Sequence, residues 1–205
     1  MATEALLLVE GRDDRCVVDA ITKNSPIHAT FEIRGDGGIS WILETLPVQV
    51  KGSELNRLGV IVDADTNLER RWQAITDILK KEGYTFPCAP SPDGTILDAP
   101  SSRRPKVGIW IMPDNQLPGI LEDFARLLVP DGDALLPYAQ ECVRNIPAGH
   151  RRFPPQHRSK AEIHSWLAWQ AEPGRPLGTA ITARYLDADA AQARVFFAWL
   201  MQLYG

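Results

Sequence analysis

The sequence predicts an α/β fold: a parallel sheet flanked by helices, with a helical extension at the C-terminal end. Three observations carry this reading. Short apolar runs at residues 5–10, 58–62 and 107–112 have the length and continuity of strands buried on both faces. Each leads through a turn or cap signal into a segment with helical hydrophobic spacing, so strands and helices alternate. From Asp131 onward only helical patterns remain.

The elements follow in order. Residues 5–10 form a central strand closed by Glu10-Gly11, and 13–22 a helix whose stripe is Cys16, Val17, Val18, Ala20 and Ile21, broken at Asn24-Ser25-Pro26. A second strand at 30–33 turns through Gly35-Asp36-Gly37-Gly38 into a helix over 39–46. That helix should stop before Pro47, because proline disfavours the α conformation in the residue before it. The strand at 58–62 delivers Asp63-Ala64-Asp65, after which Asn67 caps a helix over 68–82 that Gly83 ends. Residues 87–106 hold five prolines and, apart from a short strand at 95–97, read as a surface excursion. A fourth strand at 107–112 is followed by Pro118-Gly119 and a helix to about residue 128. Helices over 131–145, 159–170 and 188–203 complete the chain, the last with Phe196, Trp199, Leu200 and Leu203 on one face. The implied organisation is an α/β domain at 1–130 with a helical extension at 131–205 packed on it.

With 205 residues, of which 44% are hydrophobic and 23% charged, the chain has material for one substantial core and falls outside the disordered class. Its apolar runs are too short to span a bilayer and its start lacks a basic flank, so the expectation is a cytoplasmic chain with no membrane association. Cys16, Cys88 and Cys142 are far apart with no CxxC pair, which argues against a disulfide framework or zinc knuckle and suggests reduced core thiols. The 22 Lys and Arg against 26 Asp and Glu give a net charge of -4, which at face value disfavours nucleic acid.

The position of the acids changes that reading. In a parallel sheet the functional crevice lies outside the carboxyl ends of the strands. The first strand brings Glu10, Asp13 and Asp14 there, the third Asp63 and Asp65, and the fourth Asp114, Glu122 and Asp123. Carboxylates so crowded repel one another unless cations neutralise them, the environment a hard divalent metal satisfies. Singly, each has an ordinary role as a helix-start acid, turn former or solvated residue; their convergence on one edge is the signal. With these eight set aside as neutralised, 18 acids remain against 22 basic residues, and a polyanionic substrate becomes compatible.

Val9-Glu10-Gly11-Arg12-Asp13-Asp14 after the first strand and Val62-Asp63-Ala64-Asp65 after the third resemble the two signature motifs of TOPRIM domains. These occur in topoisomerases, bacterial primases, maturation ribonucleases and OLD-type endonucleases. Gly37-Gly38, Met112-Pro113-Asp114-Asn115, Pro118-Gly119-Ile120-Leu121-Glu122 and Lys160 extend the similarity over most of the chain, toward a bacterial family related to the OLD nucleases. The resemblance implies a TOPRIM-like, Rossmann-like sheet and a Mg2+- or Mn2+-dependent nuclease. Glu10, Asp14, Asp63 and Asp65 would be metal-binding acids, Glu122 a later acid and Lys160 a downstream lysine. The ATPase half of OLD proteins is missing and no GxxxxGK[ST] occurs, so any ATPase partner, for instance in a bacterial defence pair, would be a separate chain.

Other motifs compete less well. Asp63-Ala64-Asp65-Thr66 also fits the DxDxT of haloacid-dehalogenase-type phosphatases, but that motif normally opens its domain and the later lysine and paired acids are lacking. Arg34-Gly35-Asp36-Gly37-Gly38 lacks phosphate-loop spacing, and His150, His157 and His164 have no Cys partners for zinc. The resulting expectation is a phosphodiesterase on DNA or RNA. In it Glu10 and Asp63 act at one or two metal ions, Lys160 offsets charge on the phosphoryl oxygens, and Arg151, Arg152 and Arg158 hold the flanking backbone. A non-catalytic partner module with the same acidic pocket is the alternative.

Overall fold

The computed structural model describes residues 4–52 and 54–205. Its strands are β1 (Ala5–Leu8), β2 (Glu32–Arg34), β3 (Arg57–Asp63), β4 (Thr95–Leu97) and β5 (Lys106–Met112). They form one sheet in the order β2-β1-β3-β5-β4, parallel throughout except for β4, which closes its edge antiparallel to β5. The helices are α1 (Arg12–Thr22), α2 (Gly38–Lys51), α3 (Leu68–Lys81), α4 (Leu121–Arg126), α5 (Leu135–Arg144), α6 (Arg158–Ala168), α7 (Leu177–Thr182) and α8 (Ala191–Tyr204).

Strand side chains alternate between two cores, as the pleat requires. Leu6, Leu8, Val60 and Val62 pack under α2 and α3, while Leu7, Val9, Ile61 and Trp110 pack under α1, α7 and α8. On the second face Trp110 meets Phe196 edge-on at 5.0 Å and Phe124 meets Phe196 at 5.3 Å, contacts worth about 0.5–1.5 kcal/mol each beyond the area they bury. The close approach of α8 depends on two glycines paired across β3 and β5. A Cβ on Gly59 would lie 2.4 Å from the Tyr204 hydroxyl, and one on Gly108 2.5 Å from Leu203. That hydroxyl donates to the Leu6 carbonyl at 2.7 Å, pinning the last residues of the chain across the first strand.

The structure corrects four local expectations. Helix α2 continues through Pro47 to Lys51 because Ile42, Leu46 and Val50 form one fully buried stripe, and their burial outweighs the lost backbone hydrogen bond. Residues 87–106 are not wholly a surface excursion: β4 closes the sheet and buries Thr95 and Leu97. Helix α7 is an additional helix between those expected over 159–170 and 188–203; it is only six residues long, and Gly178 lets it ride against the Cys16 carbonyl. The cysteines are not core thiols, since Cys88 and Cys142 are exposed and Cys16 is half-buried.

Candidate active site

Three chain segments meet at the carboxyl edge of β1 and β3. Glu10 leaves β1 just before α1, and its Oε1 accepts the backbone N–H of Asp63 at 2.8 Å, tying the two strand ends together. Asp14, in the first turn of α1, accepts the Gly11 N–H through Oδ2 at 3.1 Å. Asp63 ends β3 and accepts the Leu121 N–H through Oδ1 at 2.9 Å, so the start of α4 is held against the strand. Each carboxylate is thereby anchored through one oxygen to a backbone amide, two of them at helix starts where the helix dipole favours an anion.

The remaining oxygens are not so provided for. Asp14 is only 7% exposed, and its Oδ1 is buried with no hydrogen-bond partner. Burial, with the charges of Glu10 and Glu122 adding to it, pushes the Asp14 carboxyl up to about 7. Asp63 is raised well above the usual carboxylate range by burial and then by Asp14, Glu10 and Glu122. Burial also raises Glu10, against the opposing pull of the Asp63 amide and the Arg71 charge. An unpartnered buried carboxylate among others is costly, and a bound cation removes that cost.

Two cations border the cluster. Lys160, in the first turn of α6, brings Nζ to 2.7 Å from Glu122 Oε1, and this hydrogen bond, with the charges of Asp13 and Asp63 adding to it, holds the ammonium protonated above its usual range. Arg71, passed over in the sequence, donates through Nε to the Asp63 carbonyl at 2.7 Å and through a terminal nitrogen to Asp65 Oδ2 at 2.5 Å. The available signal was its place in the first turn after the Asn67 cap, from which a long side chain reaches back to the strand end.

The structure therefore brings together Glu10, Asp14, Asp63, Glu122 and Lys160. Asp65 stands at the margin, exposed, with φ 52 and its carboxylate on Arg71. Not all eight acids converge. Asp114 turns back to accept the Gln116 and Leu117 amides, while Asp123 caps Ile120 and meets Arg126 and Ser159. Loop and helix-start amides compete for these two carboxylates and win. Arg158 pairs with Glu162 at 2.6 Å, while Arg151 and Arg152 are exposed in the link before α6.

The hard oxygen donors and the orphaned Asp14 Oδ1 fit a divalent metal in kind. As the side chains stand, no three Asp, Glu, His or Cys groups among the described residues form a ready cage. Glu10, Asp14 and Asp63 are the residues that would hold an ion, with Asp14 Oδ1 the oxygen left without a hydrogen-bond partner.

No curated protein matches this chain. Among solved structures it is similar to the C-terminal region of the Xanthomonas campestris pv. campestris OLD protein, at 18% identity and a TM-score of 0.34, over 97% of this chain and 85% of the other. The sequence profile of one family matches residues 4–205, and the chain belongs to that family, described as a protein of unknown function (DUF3226).

Proposed function

We propose that the protein is a Mg2+- or Mn2+-dependent phosphodiesterase acting on nucleic acid, with Glu10, Asp14 and Asp63 as its metal-holding acids. The observation that supports this most is Asp14 Oδ1, a carboxylate oxygen buried without a partner beside Glu10 and Glu122. When bound, the metal would polarise a phosphate and lower the pKa of an attacking water. The chain's own residues do the rest. Glu10 fixes the relation of β1 to β3 by holding the Asp63 amide. Lys160 carries a proton on Nζ at the crevice wall and is the donor available to a phosphoryl oxygen. Arg71 orders the Asp63–Asp65 turn from below. Asp65 and Glu122 complete the acidic shell, and a separate ATPase chain is compatible with this arrangement.

The experiment is incubation with labelled DNA and RNA pools in Mg2+ and in Mn2+, with and without chelator. Cleavage that the chelator abolishes is expected. Cleavage indifferent to chelator, or none in either metal across both pools, defeats the reading and leaves a binding module.

A further inference from the structure

We infer that a second anion site lies beside the acidic crevice, in the cleft between α4, α5 and α6, and that it holds a phosphate of the same nucleic-acid strand next to the one being cut. This rests on the proposed phosphodiesterase reading. The cleft encloses about 300 Å³ and is lined by Arg126, Gln140, Arg144, Arg158, Ser159 and Glu162. Three guanidiniums facing one small cleft need an anion, and the chain supplies only part of it. Glu162, 3% exposed, takes Arg158 Nε on Oε1 at 2.6 Å and has Arg126 3.6 Å from Oε2. Glu162 thus orients two guanidiniums and Asp123 takes Arg126 as well, at 3.2 Å; among the described residues the terminal NH2 groups of Arg158 are uncommitted, and Arg126 Nε is buried with no partner. Arg144, exposed at the end of α5, adds a third cation with no carboxylate partner among the described residues.

The local setting favours a ligand over a structural ion network. Helix α6 begins with no side-chain cap and no acid in its first turn; it carries Arg158 and Lys160 there instead, where the helix dipole disfavours cations and an anion relieves both. The cleft also adjoins the crevice directly. Consecutive residues of α4 point to the two sites, Glu122 to Lys160 and Asp123 to Ser159 and Arg126, and Ser159 and Lys160 are likewise neighbours on α6. A strand with one phosphate at the acids passes over this shared wall and places a flanking phosphate among the guanidiniums, whose planar forks match phosphate oxygens.

The test is binding of a fluorescently labelled single-stranded oligonucleotide by anisotropy in chelator, across a salt series. The proteins compared are wild type, Arg144→Ala, Arg158→Ala, the double variant, and Arg70→Ala on the exposed side of α3 as a control. Arg144→Ala and Arg158→Ala should each weaken binding about tenfold and flatten the log–log salt slope by about one, with the control unchanged; Arg144→Ala keeps the wild-type melting curve, and Arg158→Ala, which removes a partner of buried Glu162, is assayed below its own lowered melting temperature. Wild-type binding with cleft variants of equal affinity and slope would overturn the cleft while leaving the phosphodiesterase untouched. Binding that depends on the cleft without metal-dependent cleavage would uphold the cleft and sink the phosphodiesterase. Absence of wild-type binding in chelator would overturn the cleft and leave the phosphodiesterase to be judged by the cleavage assay.

Discussion

Two groups of buried and half-buried acids lie on either side of the wall formed by α4 and α6 and are treated oppositely. At the edge of β1 and β3, Glu10, Asp14 and Asp63 are anchored to backbone amides but, among the described residues, form no ion pair, with Arg71 and Lys160 only bordering them, and burial raises all three. In the seam between α4 and α6, Glu162 holds Arg158 and Arg126, and Asp123 holds Arg126 and Ser159. Asp14 at 7% exposure and Glu162 at 3% are equally removed from water, so burial does not distinguish them. What differs is whether the fold supplies the countercharge. A buried acid that the chain neutralises is a structural element; one it leaves unneutralised raises the free energy of the folded state until something from outside binds.

The largest effect expected from this contrast is on chemistry. Asp63→Asn keeps side-chain shape but removes ligand charge, and should lower metal-dependent single-turnover cleavage by at least about a thousandfold, a loss of several kcal/mol of transition-state stabilisation. Full activity in Asp63→Asn would dissolve the distinction between the two acid groups. Lys160→Ala ranks next. If the ammonium donates to the phosphoryl oxygen, turnover at saturating enzyme should fall about a hundredfold to a thousandfold with metal affinity preserved. A rate within about twofold of wild type would make Lys160 only the ion-pair partner of Glu122.

Stability should respond with opposite signs in the two regions. Glu162→Gln breaks a buried, charge-assisted pair and should cost about 1–3 kcal/mol in denaturant melts. Asp14→Asn removes an uncompensated charge, and in chelator it should leave stability unchanged or raise it. Equal losses in both variants would mean that Asp14 is a structural acid.

A further effect is the pH dependence of the metal-free protein. A carboxyl raised from 3.8 to about 7 binds more protons folded than unfolded, so its penalty is absent below the lower value and fully present above the higher one. Asp63 and Glu10 shift in the same direction. The melting temperature in chelator should therefore rise as pH falls from 8 to 5, and Mn2+ at pH 8 should restore much of the difference. A flat profile in chelator would contradict the raised carboxyls.

Much of this was legible in one dimension. Continuous apolar strands and 3.6-residue stripes identify an α/β sheet because burial on both faces leaves that pattern regardless of what packs on top. Glu10, Asp14 and Asp63 could be placed at one edge because parallel strands end on the same side. The Gly59–Gly108 pairing under α8 could not be foreseen, since each glycine reads singly as a weak strand residue and gains its meaning only from Leu203 and Tyr204 about a hundred or more residues later. Arg71, a surface-like helix residue in the sequence, was equally opaque.

Sequence alone determined which residue types stand at the strand ends, because the period of the backbone settles which side chains share an edge. Only the tertiary structure decided that Glu162 gains a second arginine and that Asp14 is left with an unpartnered oxygen. Asp123 meets Arg126 and Glu162 meets Arg158 within their own helices, and the packing of α4 against α6 brings Arg126 to Glu162 as well, whereas among the described residues Asp14 Oδ1 has no partner. Charge compensation between elements is a short-range property of three-dimensional proximity, and spacing along the chain encodes only the pairs made within one helix.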